Sequence, residues 1–252
     1  MGPHPGRVLL LGGTSEANAL AEALAARNWP AVYSYAGRVA APRARPLPVR
    51  VGGFGGVAGL RAYLRAERIA AVVDATHPFA ARMSANAALA CAAEGVPLLA
   101  FERPAWVAGQ GDRWTRVADV PAAAEALPRA PTVVFLAIGK QGLAPFAARP
   151  EHRYLLRLVD PVDAPPLPNA EVVIARGPFS VAEDRALLRE HGVGLIVAKN
   201  SGGAGAEAKL AAARDLGLPV LMIDRPAVPE RRVAGTVAEV MGWLAHEARL
   251  GL

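Results

Sequence analysis

Apolar residues come in short unbroken runs along this chain, and between the runs they recur with helical spacing. The runs are VLLLG (8–12), AVYSY (31–35), LPVRV (47–51), AAVVD (70–74), VPLLAF (96–101), TVVFLAI (132–138), YLLRLV (154–159), EVVIA (171–175), GLIVA (194–198) and LPVLMI (218–223). Runs this short and this apolar predict strands buried on both faces, as in a parallel sheet covered by helices. Segments such as SEANALAEALAARN, GLRAYLRAERI, AARMSANAALACAAEG, VAEDRALLREHG and EAKLAAARDLG separate them. Strand and helix in alternation predict an α/β, doubly wound fold.

The pattern also repeats. EGVPLLAFERP (94–104) resembles LGLPVLMIDRP (216–226), and Pro97 to Pro219 and Pro104 to Pro226 are the same 122 residues apart. RVLLLGGTSEANALA matches TVVFLAIGKQGLAPFA more loosely. The chain therefore divides into two similar α/β domains, expected at 1–125 and 126–252. The seam falls in DVPAAAEALPRAPT, where Pro121, Pro128 and Pro131 punctuate an alanine-rich segment. The last helix, about 236–249, is expected to pack on the second half. Duplicated halves can exchange a terminal strand, and the text alone leaves that open.

Composition narrows the partners. Of 252 residues, 53% are hydrophobic and 20% charged, enough for a substantial core and against global disorder. The net charge of +6 favours anionic partners. The arginines are scattered rather than gathered in a basic stripe, which argues against nucleic acid. No apolar run approaches the roughly 20 residues of a membrane span, and the first residues lack the pattern of a signal peptide. A cytoplasmic monomer, binding neither membrane nor nucleic acid, is expected. The single cysteine, Cys91, reads as a small core residue in a helical run.

Ligands of open α/β sheets bind outside the carboxyl ends of the strands, so the residues that follow each run carry the chemistry. After the first come Gly12, Gly13, Thr14, Ser15 and Glu16. Strand, Gly-Gly, helix is a phosphate-binding arrangement, because glycine lets an anion approach backbone and the helix start supplies free N–H groups. Thr14 or Ser15 can cap the helix or bond the phosphate. The full G-x-G-x-x-G fingerprint is absent, since Ala17 stands where a third glycine would. After the second run come Ser34, Tyr35 and Arg38, where an NAD-preferring domain usually offers an acid. Serine and arginine suit a 2′-phosphate instead, so NADPH is the expected cofactor. After AAVVD come Thr76, His77 and Pro78. Thr76 or His77 can cap the next helix, with Pro78 in its first turn, or touch the cofactor near its nicotinamide end or the substrate.

The second half offers Lys140 and Gln141, Arg176, and Lys199, Asn200, Ser201 and Gly202 at corresponding places. Lys199 lies 122 residues after His77, which makes the two equivalent. Cations without a Gly-Gly-Thr turn suit the carboxylates of a second ligand. The glycines after Ser201 read as a ligand loop. No metal-ligand cluster is visible, and no catalytic acid stands out.

LLLGGTSEANAL, DATHPFAARMSANA, FERPAW, ARGPFS and KNSGGAGAEAKLAAARDLGLPVLMIDRP together resemble the precorrin-6A reductase family of cobalamin biosynthesis, over about Val8 to Pro226. The resemblance implies two Rossmann-like domains with a cleft between them. It implies hydride transfer from NADPH to one carbon–carbon double bond of a methylated, ring-contracted tetrapyrrole, giving precorrin-6B. That substrate is a polyanion, which gives the basic balance a specific reason. The glycine turn of the family falls on Gly12 to Glu16, its DATHP motif on Asp74 to Pro78 and its KNSGG motif on Lys199 to Gly203. The cobalt-precorrin-6A reductases share these motifs and remain an alternative, as does a nucleotide-binding protein without turnover.

Overall fold

The computed structural model describes residues 6–35, 46–140 and 142–249. They form two compact units, one of 1–103 with 227–252 and one of 104–226. The expected boundary at 125 is therefore wrong on two counts. The chain crosses to the second unit at Pro104 and returns to the first at Ala227.

In the first unit β1 (Arg7–Leu11), β2 (Ala31–Tyr35), β3 (Val49–Val51), β4 (Ile69–Asp74) and β5 (Leu98–Phe101) alternate with α1 (Ser15–Ala26), α2 (Gly56–Ala66) and α3 (Ala81–Glu94). In the second, β6 (Arg113–Val117) and α4 (Val120–Glu125) precede β7 (Val133–Ala137), β8 (Arg153–Leu158) and β9 (Ala170–Ile174). There follow α5 (Val181–Glu190), β10 (Leu195–Lys199), α6 (Ala208–Asp215) and β11 (Pro219–Ile223). The chain ends with β12 (Arg232–Ala234) and α7 (Val237–Arg249). Short 3-10 turns lie at Ala144–Ala148, between β7 and β8, and at Ala204–Ala206, just before α6.

The first sheet runs β12-β5-β4-β1-β2-β3 and the second β6-β11-β10-β7-β8-β9, with every pairing parallel. All ten apolar runs are strands. The two strands that the apolar pattern missed are β6 and β12, and they are exchanged. β6 follows the first half in sequence yet pairs with β11, Arg113 beside Pro219. β12 follows the second half yet pairs with β5, Arg232 beside Leu99. Each carries its helix along. α7 packs against α1, and its Val240, Met241, Trp243 and Leu244 join Leu20, Leu24 and Tyr33 in one core. So the last helix belongs to the first unit, contrary to expectation. The reason is coverage: one flank of β1 needs an apolar lid, and α7 supplies it.

The core explains the unbroken runs. In β1, Val8 and Leu10 enter the cluster with α1 and α7, while Leu9 and Leu11 enter the one with Leu60 of α2 and Ala87 of α3. Side chains alternate across a strand, so a strand covered on both faces must be apolar at every position. Cys91 lies in the second of these clusters. Burial, helped by the charge of Asp74, pushes its thiol up to about 12. That fits a core residue rather than a nucleophile. In the second unit Phe135, Ile196, Val220 and Met222 meet Leu188 of α5 and Leu210 of α6. Among the described residues no helix is long and apolar enough to cross a membrane.

Strand register also revises the equivalence of the halves. Asp74 lies beside Ala100, and Ala198 beside Met222. Ala100 and Met222 are equivalent through the FERP and IDRP repeat. Asp74 thus matches Ala198, and Lys199 matches Ala75 rather than His77. The lengths between strands differ by two residues, as α3 and α6 differ in length.

Candidate functional site

In the first sheet the strand order reverses between β1 and β4, and that switch point is where such folds take a ligand. The Gly12–Gly13 turn lies at the end of β1, DATHP at the end of β4, and Ser34 and Tyr35 at the end of β2. The expected cofactor residues that the structure describes therefore share one sheet edge. Arg38 lies outside the described residues.

The turn rests on Tyr33, which is fully buried. Its hydroxyl accepts from the Gly13 N–H (2.9 Å) and donates to Asn18 Oδ1 (3.0 Å). Its ring fills the space that a Cβ at position 12 would need, and Gly13 has φ of 122°, a conformation open to glycine. Thr14 is the N-cap of α1: its Oγ1 accepts from the Ala17 N–H (3.1 Å) and donates to the Ala75 carbonyl (2.8 Å). That second bond ties the turn to the DATHP segment. Ser15 is exposed and its hydroxyl donates to Glu16. Glu16 is held by Arg103 of FERP at 2.8 Å, so its carboxylate secures the loop after β5. With Thr14 as cap, the backbone N–H groups at the start of α1 and the bare face of Gly13 make a turn that can receive an anion.

DATHP does not begin a helix. Pro78 sits in a turn closed by the Ala80 N–H on the His77 carbonyl (2.7 Å), and α3 starts at Ala81 without a side-chain cap. Neither Thr76 nor His77 caps it. Asp74, buried in the last position of β4, accepts from the Thr76 N–H (3.1 Å) and hydroxyl (2.7 Å) through Oδ1. Its Oδ2 lies 4.0 Å from Nη2 of Arg231, which also pairs with Glu102. Arg231 comes from the segment leading into the exchanged β12. His77 is exposed, and its Nδ1 accepts from the Phe79 N–H (3.2 Å). Asp74 thus shapes the loop, and His77 is its accessible tip.

Sequence reasoning missed Arg50. It lies beside Ser34 across β2 and β3, and its Nη1 donates to Ser34 Oγ (3.2 Å). The signal was faint, an arginine within LPVRV, one of the apolar runs.

In the second unit the order reverses between β7 and β10. Lys140 follows β7 and is exposed, and Lys199 ends β10. Arg176 follows β9, exposed, 3.8 Å from Asp160. Gln141 lies outside the described residues. Asn200, expected to bind the second ligand, has a structural role as well. It is buried, its Oδ1 accepts from the Trp106 N–H (2.8 Å), and its Nδ2 donates to the Trp106 carbonyl (3.0 Å). This amide imitates a strand pairing and locks the Trp106 backbone to KNSGG. Trp106 Nε1 donates to the Gly203 carbonyl (3.1 Å), and Arg225 Nε to that of Asn200 (3.0 Å). Ser201 is buried, and its carbonyl accepts from Arg225 (3.2 Å). Gly202, with φ of 68°, packs so close to the Pro104 carbonyl that any Cβ would collide. Asn200 and Gly202 build the loop that follows Lys199, the last residue of β10.

The family model described as "Precorrin-6x reductase CbiJ/CobK" matches residues 7–245. The chain is 63% identical to the precorrin-6A reductase of Rhodobacter capsulatus over 240 residues, 95% of this chain and 96% of the relative. It is 49% identical to that of Rhodococcus erythropolis, over 95% of this chain and 96% of the relative. A cobalt-precorrin-6A reductase of Priestia megaterium is 31% identical, over 96% and 99%. A solved structure titled "CobK precorrin-6A reductase" matches with a TM-score of 0.91 and 63% identity, covering 96% of both chains.

Proposed function

This chain belongs to the precorrin-6x reductase family, and from that membership we propose that it reduces one carbon–carbon double bond of precorrin-6A with NADPH as the hydride donor. The observation that carries the cofactor reading is the turn at the first strand end. Tyr33 beneath Gly12, the open Gly13 and the Thr14 cap shape the turn into α1, and the first backbone N–H groups of such a helix suit a dinucleotide phosphate. The metal-free substrate is preferred because the relatives named for it are 63% and 49% identical, against 31% for the cobalt enzyme.

When bound, the nicotinamide supplies the hydride. The residues of this chain hold and orient. Gly12, Gly13 and Ser15 would hold the pyrophosphate, with Thr14 fixing the helix start, and Ser34 would serve the ribose. Thr76 and His77 stand on the opposite side of the switch point, where the nicotinamide end is expected. Lys140, Lys199 and Arg176 are suited to the acetate and propionate groups of the macrocycle. Hydride transfer to a conjugated ring needs mainly contact between the two reactants and a site free of water.

The deciding experiment is anaerobic NADPH oxidation with precorrin-6A and its cobalt complex offered separately. Oxidation with the metal-free substrate is expected. Oxidation with the cobalt complex alone would move the chain to the other branch of the family. Oxidation with neither, despite NADPH binding, would overturn the substrate.

A further inference from the structure

We propose that Arg50 recognises the 2′-phosphate of the dinucleotide and so sets the choice between the phosphorylated and unphosphorylated cofactor. The inference rests on the NADPH reading and names a residue for it. Three observations converge. The first is position. Arg50 pairs in register with Ser34 at the carboxyl ends of β2 and β3. The end of the second strand is where folds of this kind read the ribose hydroxyls.

The second is orientation. Nη1 donates to Ser34 Oγ and to the Gly52 carbonyl, and Nη2 donates to the Gly53 carbonyl (2.8 Å). The guanidinium lies 3.7 Å from the ring centroid of Phe54 and 5.2 Å from that of Tyr63. Stacking and three hydrogen bonds hold the plane of the group, so little rotamer freedom is lost when an anion arrives.

The third is charge. The partners of Arg50 are a hydroxyl and two carbonyls, all neutral, and no carboxylate among the described residues pairs with it. Of its five N–H donors, Nε–H and one on Nη2 remain. A fixed, partly exposed guanidinium with full charge and spare donors is built for a dianion. A role in shaping the Gly52–Gly53 turn would explain the two carbonyl bonds. It would explain neither the bond to Ser34 nor the missing acid.

The test compares calorimetric titration of 2′,5′-ADP with that of 5′-ADP, using the full chain with Arg50, Arg50→Gln or Arg50→Lys. Thermal melts serve as the fold control. Arg50→Gln is expected to weaken 2′,5′-ADP by at least ~10-fold, the scale of a charged hydrogen bond, and to leave 5′-ADP nearly unchanged. Arg50→Lys keeps the charge but loses the fork, so it should fall between, and it serves alone if the glutamine variant does not fold. Equal weakening of both ligands would reduce Arg50 to a turn former and overturn the inference. So would a preference for 2′,5′-ADP that survives both substitutions. If the parent protein shows no such preference, the NADPH reading itself fails, which the parent titration reveals before any variant is made.

Discussion

Tyr33 occupies the space that a side chain at Gly12 would fill. The phenol is wholly buried, hydrogen-bonded to the Gly13 N–H and to Asn18, and its ring lies where a Cβ at position 12 would project. A glycine in a nucleotide turn is usually explained by the ligand's approach from outside. Here the packing from inside also demands it.

Gly12→Ala must therefore displace Tyr33. It should cost about 1–3 kcal/mol, the range for overpacking a tight core, and weaken NADPH at least tenfold. Tyr33→Ala makes room, so the double variant should be less destabilised than the two single losses added. A coupling of about 0.5–3 kcal/mol is expected for residues in contact. Urea denaturation of the four proteins reads it, and strict additivity would mean the ring is not what excludes the side chain.

Asn200 and Lys199 are neighbours in sequence with different tasks. Asn200→Ala breaks both bonds to the Trp106 backbone and should destabilise the protein by about 1–3 kcal/mol, since a buried donor and acceptor lose their partner. Lys199→Ala should raise KM for the tetrapyrrole with little change in KM for NADPH. Steady-state kinetics beside denaturation separates the two, and a reversal of these patterns would return Asn200 to the ligand.

The exchanged strands predict where a truncation is felt. Removing 227–252 takes β12 and α7 from the first unit, along with Arg231, the counter-charge of Asp74 and Glu102. Amide exchange should then rise in β5, α1 and the DATHP loop while 113–226 stays protected. Had the final helix covered the second half, the pattern would be the opposite.

The pH dependence is set on the acid side. Burial lifts the Asp112 carboxyl, but bonds from Arg214 and the Gly109 N–H outweigh it and hold it below the ordinary range. Glu183 and Glu239 are lowered by hydrogen bonds from Ser180 and from Gly235 and Thr236 at the starts of α5 and α7. For a carboxylate lowered by folding, the stabilisation is complete above its unfolded value, about pH 4. It is lost as pH falls through the lower folded value. The urea midpoint should thus fall as the pH drops below about 4. Asp112→Asn should lower it at pH 6 and flatten the slope; an unchanged slope would remove Asp112 from the account.

Cys91 supplies a probe. With its thiol pushed up to about 12 by burial, iodoacetamide at pH 8 should label it only as fast as the first unit opens. Labelling at the rate of a free thiol would show that the α3 packing is loose.

Ten strands, the doubly wound class and the glycine turn were legible in the chain because each is written locally. An apolar run covered on both faces needs no knowledge of its partners, and Gly-Gly-Thr at a strand end announces its own geometry. β6 and β12 escaped because RWTRV and RVA are short, charged edge strands with polar faces. Their exchange escaped because strand pairing is non-local. Nothing in residues 113–117 names Pro219 to Ile223 as neighbours. The roles of Tyr33 and Asn200 were decided in the same way, by which backbone the fold brings to each polar tip. The residue types allowed each of them several tasks, and only the tertiary contacts selected one.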